Sequence, residues 1–173
     1  MQRPEHTFPW RRGGRTLRAV TGMPEWNVAI FALLLNFPWE VLQAPLFAGM
    51  AEAPFFEAIK GCSRGTLGDM VIMLIAYEAV SLVARSRAWV LTPSRRQLAL
   101  FIAIGVSITA VIEGLATRGH WVQNWTYSPN MPVVPGVNIG VTPLLQWVVL
   151  PLLVVWFVRR QIQDQARGRN EAA

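Results

Sequence analysis

Apolar positions fall in four long runs, near 27–48, 65–84, 97–117 and 141–158, with polar and basic positions gathered between them. Each run is close to the length of helix, about 20 residues, that crosses a hydrocarbon core. None shows the alternation of apolar and polar positions that a membrane strand requires. The pattern predicts an all-α, polytopic four-transmembrane-helix bundle over 25–158. Basic tails flank it over 1–24 and 159–173, the second expected to be disordered. Within the connection 49–64, Pro54-Phe55-Phe56-Glu57-Ala58-Ile59-Lys60 predicts a short interfacial helix.

Composition supports a membrane protein over a soluble one. Apolar residues make up 53% and charged residues 15%, and mean hydropathy is +0.33. The net charge of +6 does not read as a nucleic-acid surface, because the arginines flank apolar runs and form no single stripe. Of the 16 lysines and arginines, all but Lys60, Arg64 and Arg118 fall in the two tails and the second connection. By the positive-inside rule both termini are expected to be cytoplasmic, as an even number of spans requires. Arg11-Arg12 hints at a twin-arginine leader. The run that follows is longer than the roughly 7–15 residues of a signal core and contains Pro38, Trp39 and Glu40, so it is expected to remain as a span. The single cysteine, Cys62, forms no internal disulfide.

The chemistry lies in what interrupts the apolar runs. Asn36-Phe37-Pro38-Trp39-Glu40 places a proline and a carboxylate inside the first span. A carboxylate at the centre of a bilayer costs about 2.5–3.5 kcal/mol on insertion scales and needs a compensating role. From the helical rise, Glu40 lies roughly 12 Å from the outer end of its span, Asp69 and Glu113 roughly 6 Å and Gln146 roughly 8 Å. All four are expected in the outer half of the membrane, with His120 just beyond Glu113. Asn36, Glu40 and Gln43 share one helical face, as do Gly105, Thr109 and Glu113, and Asp69 shares its face with Met73 and Ala76. Small residues let helices approach closely in lipid, so the Gly105–Thr109–Glu113 face of the third helix is expected to pack inward. Pro38, Pro45 and Pro151 each free a backbone carbonyl and are expected to kink their helices toward protein or water. Thr142-Pro143 reads as a helix start. Arg64 and Arg118 are placed to act as counter-charges. Glu78 lies on the opposite face from Asp69, within reach of Arg85, and reads as a structural charge that could meet a partner helix or a second copy.

The runs Asn36–Leu46, Cys62 with Gly65–Asp69, Trp125-Thr126-Tyr127 with Met131-Pro132, and Thr142–Trp147 together resemble a family of small bacterial four-helix inner-membrane proteins. The resemblance covers about 36–151 and implies topology, not an activity. The aromatic loop with prolines is also loosely similar to the membrane domains of lycopene cyclases, a likeness that carries no residues across. The family signature coincides with the polar positions, which favours a functional site over bundle glue.

The candidate set is then Glu40, Glu113 and Asp69 for catalysis. Asn36, Gln43, Gln146, Trp147, His120, Trp125 and Tyr127 are the candidates for binding. Glu40 and Glu113 are expected to act as acid and base on an amphiphilic molecule, with Asp69 and Gln146 orienting. Intramembrane carboxylates also suit a proton or cation path, and buried charges suit an assembly subunit. A metal site built from Glu40, Asp69, Glu113 and His120 has no recognisable ligand spacing, and no nucleophile, phosphate or cofactor fingerprint is present.

Overall fold

The computed structural model describes residues 23–170, so the expected N-terminal tail, apart from Met23 and Pro24, lies outside the described residues, as do 171–173. Among the described residues the long helices are α1 (Pro24–Gln43), α2 (Phe55–Ala84), α3 (Arg95–Ala116) and α4 (Val141–Asn170). All four are long and apolar enough to cross a membrane. Their exposed residues are those of a bundle whose outer surface is apolar, including Leu42, Phe56 and Leu82 at roughly four-fifths exposure.

The ends follow local chemistry and correct several expected boundaries. Pro24 starts α1, where a missing N–H costs nothing. The helix tightens at Ala44–Leu46 into a 3₁₀ turn, so Pro45 belongs to this turn and not to the helix interior. Pro54 is the residue before α2, and no breaker follows, so the separate helix expected near 54–60 is the first part of α2. Ser63 and Thr66 bond back to the carbonyls of Ile59 and Cys62, each at 2.8 Å, which hides their hydroxyls along this stretch. The C-cap Arg85 stops α2 at φ 50°, in the left-handed region. A reciprocal capping box between Ser94 and Gln97 starts α3. α4 begins at Val141, and the Thr142 hydroxyl turns to the Met131 sulfur at 3.3 Å instead of capping. It runs on through 159–170, where disorder was expected. The Arg160–Asp164 pair at 3.7 Å is one i,i+4 contact supporting the extension.

The bundle has two unlike ends. At the end holding Glu25, Arg87 and Arg95, the core is largely apolar: Val28 and Ala32 of α1, Met73, Ala76, Tyr77 and Val80 of α2, Phe101 of α3, and Val154 and Val158 of α4. The connection 85–94 folds into this core. The Trp89 ring lies tilted 5.5 Å from Tyr77 and edge-on 5.4 Å from Phe101, and its indole donates to Ser81 Oγ at 3.2 Å. The Tyr77 hydroxyl donates to the Arg87 carbonyl. The Arg87 guanidinium donates to Glu25 at 2.6 Å, pinning the connection to α1. That pair takes the place of the expected Glu78–Arg85 contact. Both Glu78 and Arg85 are exposed and form no ion pair among the described residues.

At the opposite end the connections 44–54 and 117–140 meet. Phe47 and Tyr127 form an antiparallel bridge, and Ala48 N–H donates to Thr126 O and Ser128 N–H to Leu46 O, each at 2.9 Å. A small hairpin, β1 (Val133–Val134) with β2 (Ile139–Gly140), closes the second connection through Gly136 and Asn138, both at positive φ. Pro151 is buried within α4, as expected, whereas the Pro38 ring is exposed on α1. Two residues along a helix is about 200° of rotation, so Pro38 points away from Asn36 and Glu40. The polar and proline positions of Asn36–Glu40 therefore occupy opposite faces.

Gly105 of α3 receives the Trp147 ring of α4, and an added Cβ would overlap the ring. We expect Gly105→Ala to lower stability by about 1–3 kcal/mol through overpacking. The intrinsic helix preference of Ala, about 0.5–1 kcal/mol, works in the other direction. At Gly68 a Cβ meets nothing within 4 Å, so Gly68→Ala should be neutral or slightly stabilising. Thermal unfolding in detergent checks both; equal behaviour of the two variants would contradict the Gly105–Trp147 contact.

Candidate functional site

Three helices bring amide and carboxyl side chains to one place. Asn36, Glu40 and Gln43 come from one face of α1, Asp69 from α2 and Gln146 from α4. The Gln146 amide nitrogen donates to Asn36 Oδ1 and to Asp69 Oδ2, each at 2.7 Å. Gln43 Nε2 donates to Glu40 Oε1 at 2.6 Å and to Gln146 Oε1 at 3.3 Å. Trp39 Nε1 donates to Gln43 Oε1 at 3.2 Å, and Asn36 Nδ2 donates to the Ala32 carbonyl at 2.7 Å. The amides of Asn36, Gln43 and Gln146 therefore have their orientations set by neighbours, which is the condition for burying such groups. Asn36, Gln43 and Gln146 are buried.

Glu40 and Asp69 face each other within hydrogen-bonding reach. Gly65 makes this approach possible, since a Cβ there would collide with the Glu40 carboxylate. Two carboxyl groups in such contact need a proton or a cation between them. No ion pair among the described residues reaches Glu40, Asp69 or Glu113. Arg118, expected as a counter-charge, instead donates to the carbonyls of Gly114 and Val137, at 2.7 and 3.3 Å. Arg64, the other one, is exposed and unpaired among the described residues.

Glu113 forms a second polar node. It is buried, and it accepts from Trp125 Nε1 at 3.1 Å and from the Tyr127 hydroxyl. That hydroxyl in turn accepts from Gly140 N–H at 2.9 Å. Burial, and then the carboxylate beside it, push the Tyr127 phenol above its ordinary range, so it stays a donor. The aromatic connection is thereby fastened to α3 through its own polar atoms.

Both nodes line one cavity of about 930 Å³. Its remaining wall is largely apolar, including Leu67, Val71 and Ile75 of α2 and Ile108 and Ile112 of α3. Thr109 also lines it; its hydroxyl is buried and has no hydrogen-bond partner. Chemically, the site offers a carboxyl pair able to hold a proton, a fixed acceptor in Glu113, and an apolar wall.

Of the sequence candidates, Glu40, Asp69, Glu113, Gln43, Gln146 and Trp125 line this cavity. Asn36 supports it from behind through Gln146, and Tyr127 supports it through Glu113. Trp147 does not reach it: the ring is buried against Gly105, with its indole nitrogen unpartnered. His120 is exposed and does not line the cavity. The turn after α3 carries it outward, with its backbone N–H bonded to Leu115 O at 2.9 Å. Of the four groups weighed as metal ligands, Glu40, Asp69 and Glu113 line the cavity and His120 does not. Among the described residues no three acidic, histidine or cysteine groups gather so as to hold a metal. Sequence reasoning missed Gly65 as the seat of Glu40 and Trp39 as the donor to Gln43. The first was visible only as a small residue one turn before Asp69.

Comparison with protein-family models, curated proteins and solved structures finds no match.

Removing the Tyr127 hydroxyl should loosen the aromatic connection without unfolding the bundle. Tyr127→Phe is expected to cost about 1.5–3 kcal/mol, as for a hydrogen bond to a charged group. Amide exchange in 121–128 should rise while exchange in the α2 core stays unchanged. Unaltered exchange in 121–128 would contradict the Glu113 tether.

Proposed function

We propose that this chain is a bacterial inner-membrane protein, with both termini in the cytoplasm, whose cavity binds an amphiphilic, lipid-like molecule and acts on it by proton transfer. Membership of the small four-helix family suggested by the sequence motifs belongs to the same proposal. The distribution of lysine and arginine supports the orientation, and in this reading the cavity opens in the periplasmic half. The observation that carries the functional reading is the Glu40–Asp69 carboxyl pair set in the wall of a cavity that is otherwise mostly apolar. An apolar cavity with a few convergent polar groups is the usual form of a small-molecule site. In this reading the Glu40–Asp69 pair supplies or takes the proton. Glu113 is the second acid–base group, and Gln146 holds Asp69 in place.

An ion path fits less well. Beyond Asp69, α2 continues with Met73, Ala76, Tyr77 and Val80, all essentially without solvent exposure, and among the described residues no buried carboxylate continues toward the other end. A partner-subunit role keeps one supporting observation: Glu78 is an exposed carboxylate on α2 between exposed Ile75 and Leu82. A helix or second copy bearing a base opposite Glu78 would suit it, and stoichiometric co-purification lost in Glu78→Gln would support that role.

Incubation of the purified protein with a bacterial lipid extract in D₂O, followed by mass spectrometry, tests the main reading. Wild type should deuterate or convert at least one amphiphile. Glu40→Gln and Glu113→Gln should lower that rate by roughly 10²–10⁴-fold, the usual contribution of a positioned acid or base, while unfolding normally on heating. No lipid species that differs between wild type and these variants would overturn the proposal.

A further inference from the structure

The cavity has a side as well as a mouth. Leu67, Gly68, Val71 and Ile75 line it from α2, yet all four are exposed on the outer surface of the bundle. Ile108 and Ile112 of α3 form the facing wall and are partly exposed. The cavity is therefore bordered by residues that also belong to the bundle's outer surface, along the seam between α2 and α3. In a bilayer that seam faces acyl chains.

The polar groups are graded along this seam. Arg64, Gln123 and Asn124 line the cavity at the end where the connections meet, and all three are exposed. Arg64 has no ion pair among the described residues. Five residues along α2, roughly 7.5 Å by the helical rise, separate it from Asp69. Thr109, 7% exposed as a residue and with its buried hydroxyl lacking a partner, lies in the same wall. A ligand that satisfies all of these has a negative head, an apolar chain, and a polar or reactive group a short way down that chain.

We propose that the seam between α2 and α3 is a lateral lipid site, taking an amphiphile with an anionic head group on Arg64 and its chain along Leu67, Val71, Ile75, Ile108 and Ile112. The Gln123 and Asn124 amides complete the head-group contacts. The first part of the chain then passes the carboxyl pair and Thr109, where the chemistry proposed above takes place. This inference rests on the same cavity and names its ligand class and its route. A guanidinium suits a phosphate or carboxylate head because it presents several donors in one plane. The Lys60 side chain, one turn earlier on α2, lies 3.9 Å from Glu57 and does not line the cavity, so it serves as the control charge.

The test is photolabelling in reconstituted vesicles with diazirine-chain phosphatidylglycerol, compared with the same chain on phosphatidylcholine. Wild type should be labelled within 67–75 and 108–112, more strongly by the anionic probe. Excess unlabelled phosphatidylglycerol should compete, and glycerol phosphate should not. Arg64→Gln should reduce anionic labelling about fivefold, which is ~1 kcal/mol, the upper end for an exposed ion pair. Lys60→Gln should leave it unchanged. Gly68→Leu places a side chain where a Cβ meets nothing within 4 Å, so it should block labelling while thermal unfolding stays near wild type. Equal labelling by both probes, or equal effects of Arg64→Gln and Lys60→Gln, would overturn the anionic head-group assignment. Competition by glycerol phosphate would overturn the lipid in favour of a soluble anion. Carboxylate-dependent lipid chemistry without labelling along the seam would overturn this route alone and leave the proposed function standing. Labelling without such chemistry would leave the site and remove the reaction.

Discussion

The Gln146 amide holds the arrangement together. It is a neutral group on α4, buried among apolar helices, and its two N–H bonds go to α1 and α2. In lipid, helices gain no hydrophobic free energy by meeting one another, so packing and interhelical hydrogen bonds decide which faces associate. Gln146 supplies such bonds where the apolar packing is interrupted by Asn36, Glu40 and Asp69. The next residue, Trp147, seats its ring in the notch at Gly105 and so fixes α3 against α4. Two consecutive residues of α4 thus contact the other three helices, one through polar atoms and one through shape.

This dependence divides the bundle in two. The end with Trp89, Tyr77 and Phe101 is largely apolar and closely packed, and the Glu25–Arg87 pair ties the connection 85–94 to α1. The other end is held by backbone bonds between two connections and by the fastening of Glu113 to Trp125 and Tyr127. A firm base and a polar upper half with an adjoining cavity suit chemistry on one side of a membrane. They suit passage through it poorly. Carboxyl groups that would be costly alone in lipid are tolerated because neighbouring amides, an indole and a phenol satisfy them.

The helices were legible in the chain because length and hydropathy alone decide a membrane span. Faces were legible too: helical spacing put Asn36 with Glu40 and Gln43, and Asp69 with buried Met73 and Ala76. Boundaries were less so. Hydropathy falls before Gly65 and after Val158, but helices do not end where hydropathy does, and α2 and α4 both continue. The fold-back of Trp89 was marked only by Ala88-Trp89-Val90-Leu91, four apolar residues inside an arginine-rich connection. Sequence nearness misled for His120, which follows Glu113 closely yet is carried outward by a turn. Depth misled for Arg118, because a side chain at the right level still chooses the nearest free carbonyls. The pairing of Glu40 with Asp69 depends on Gly65, and no periodicity reports which glycine receives which side chain.

A double-mutant cycle between Gln146 and Asp69 tests the convergence of the helices most directly. Gln146→Leu, Asp69→Val and the double variant would be compared by reversible unfolding in detergent or bicelles. The account predicts non-additivity of about 1–3 kcal/mol, because each single change strands a buried partner that the double change removes. Effects that simply add, within about 0.5 kcal/mol, would mean that the two side chains do not meet, and would contradict the account.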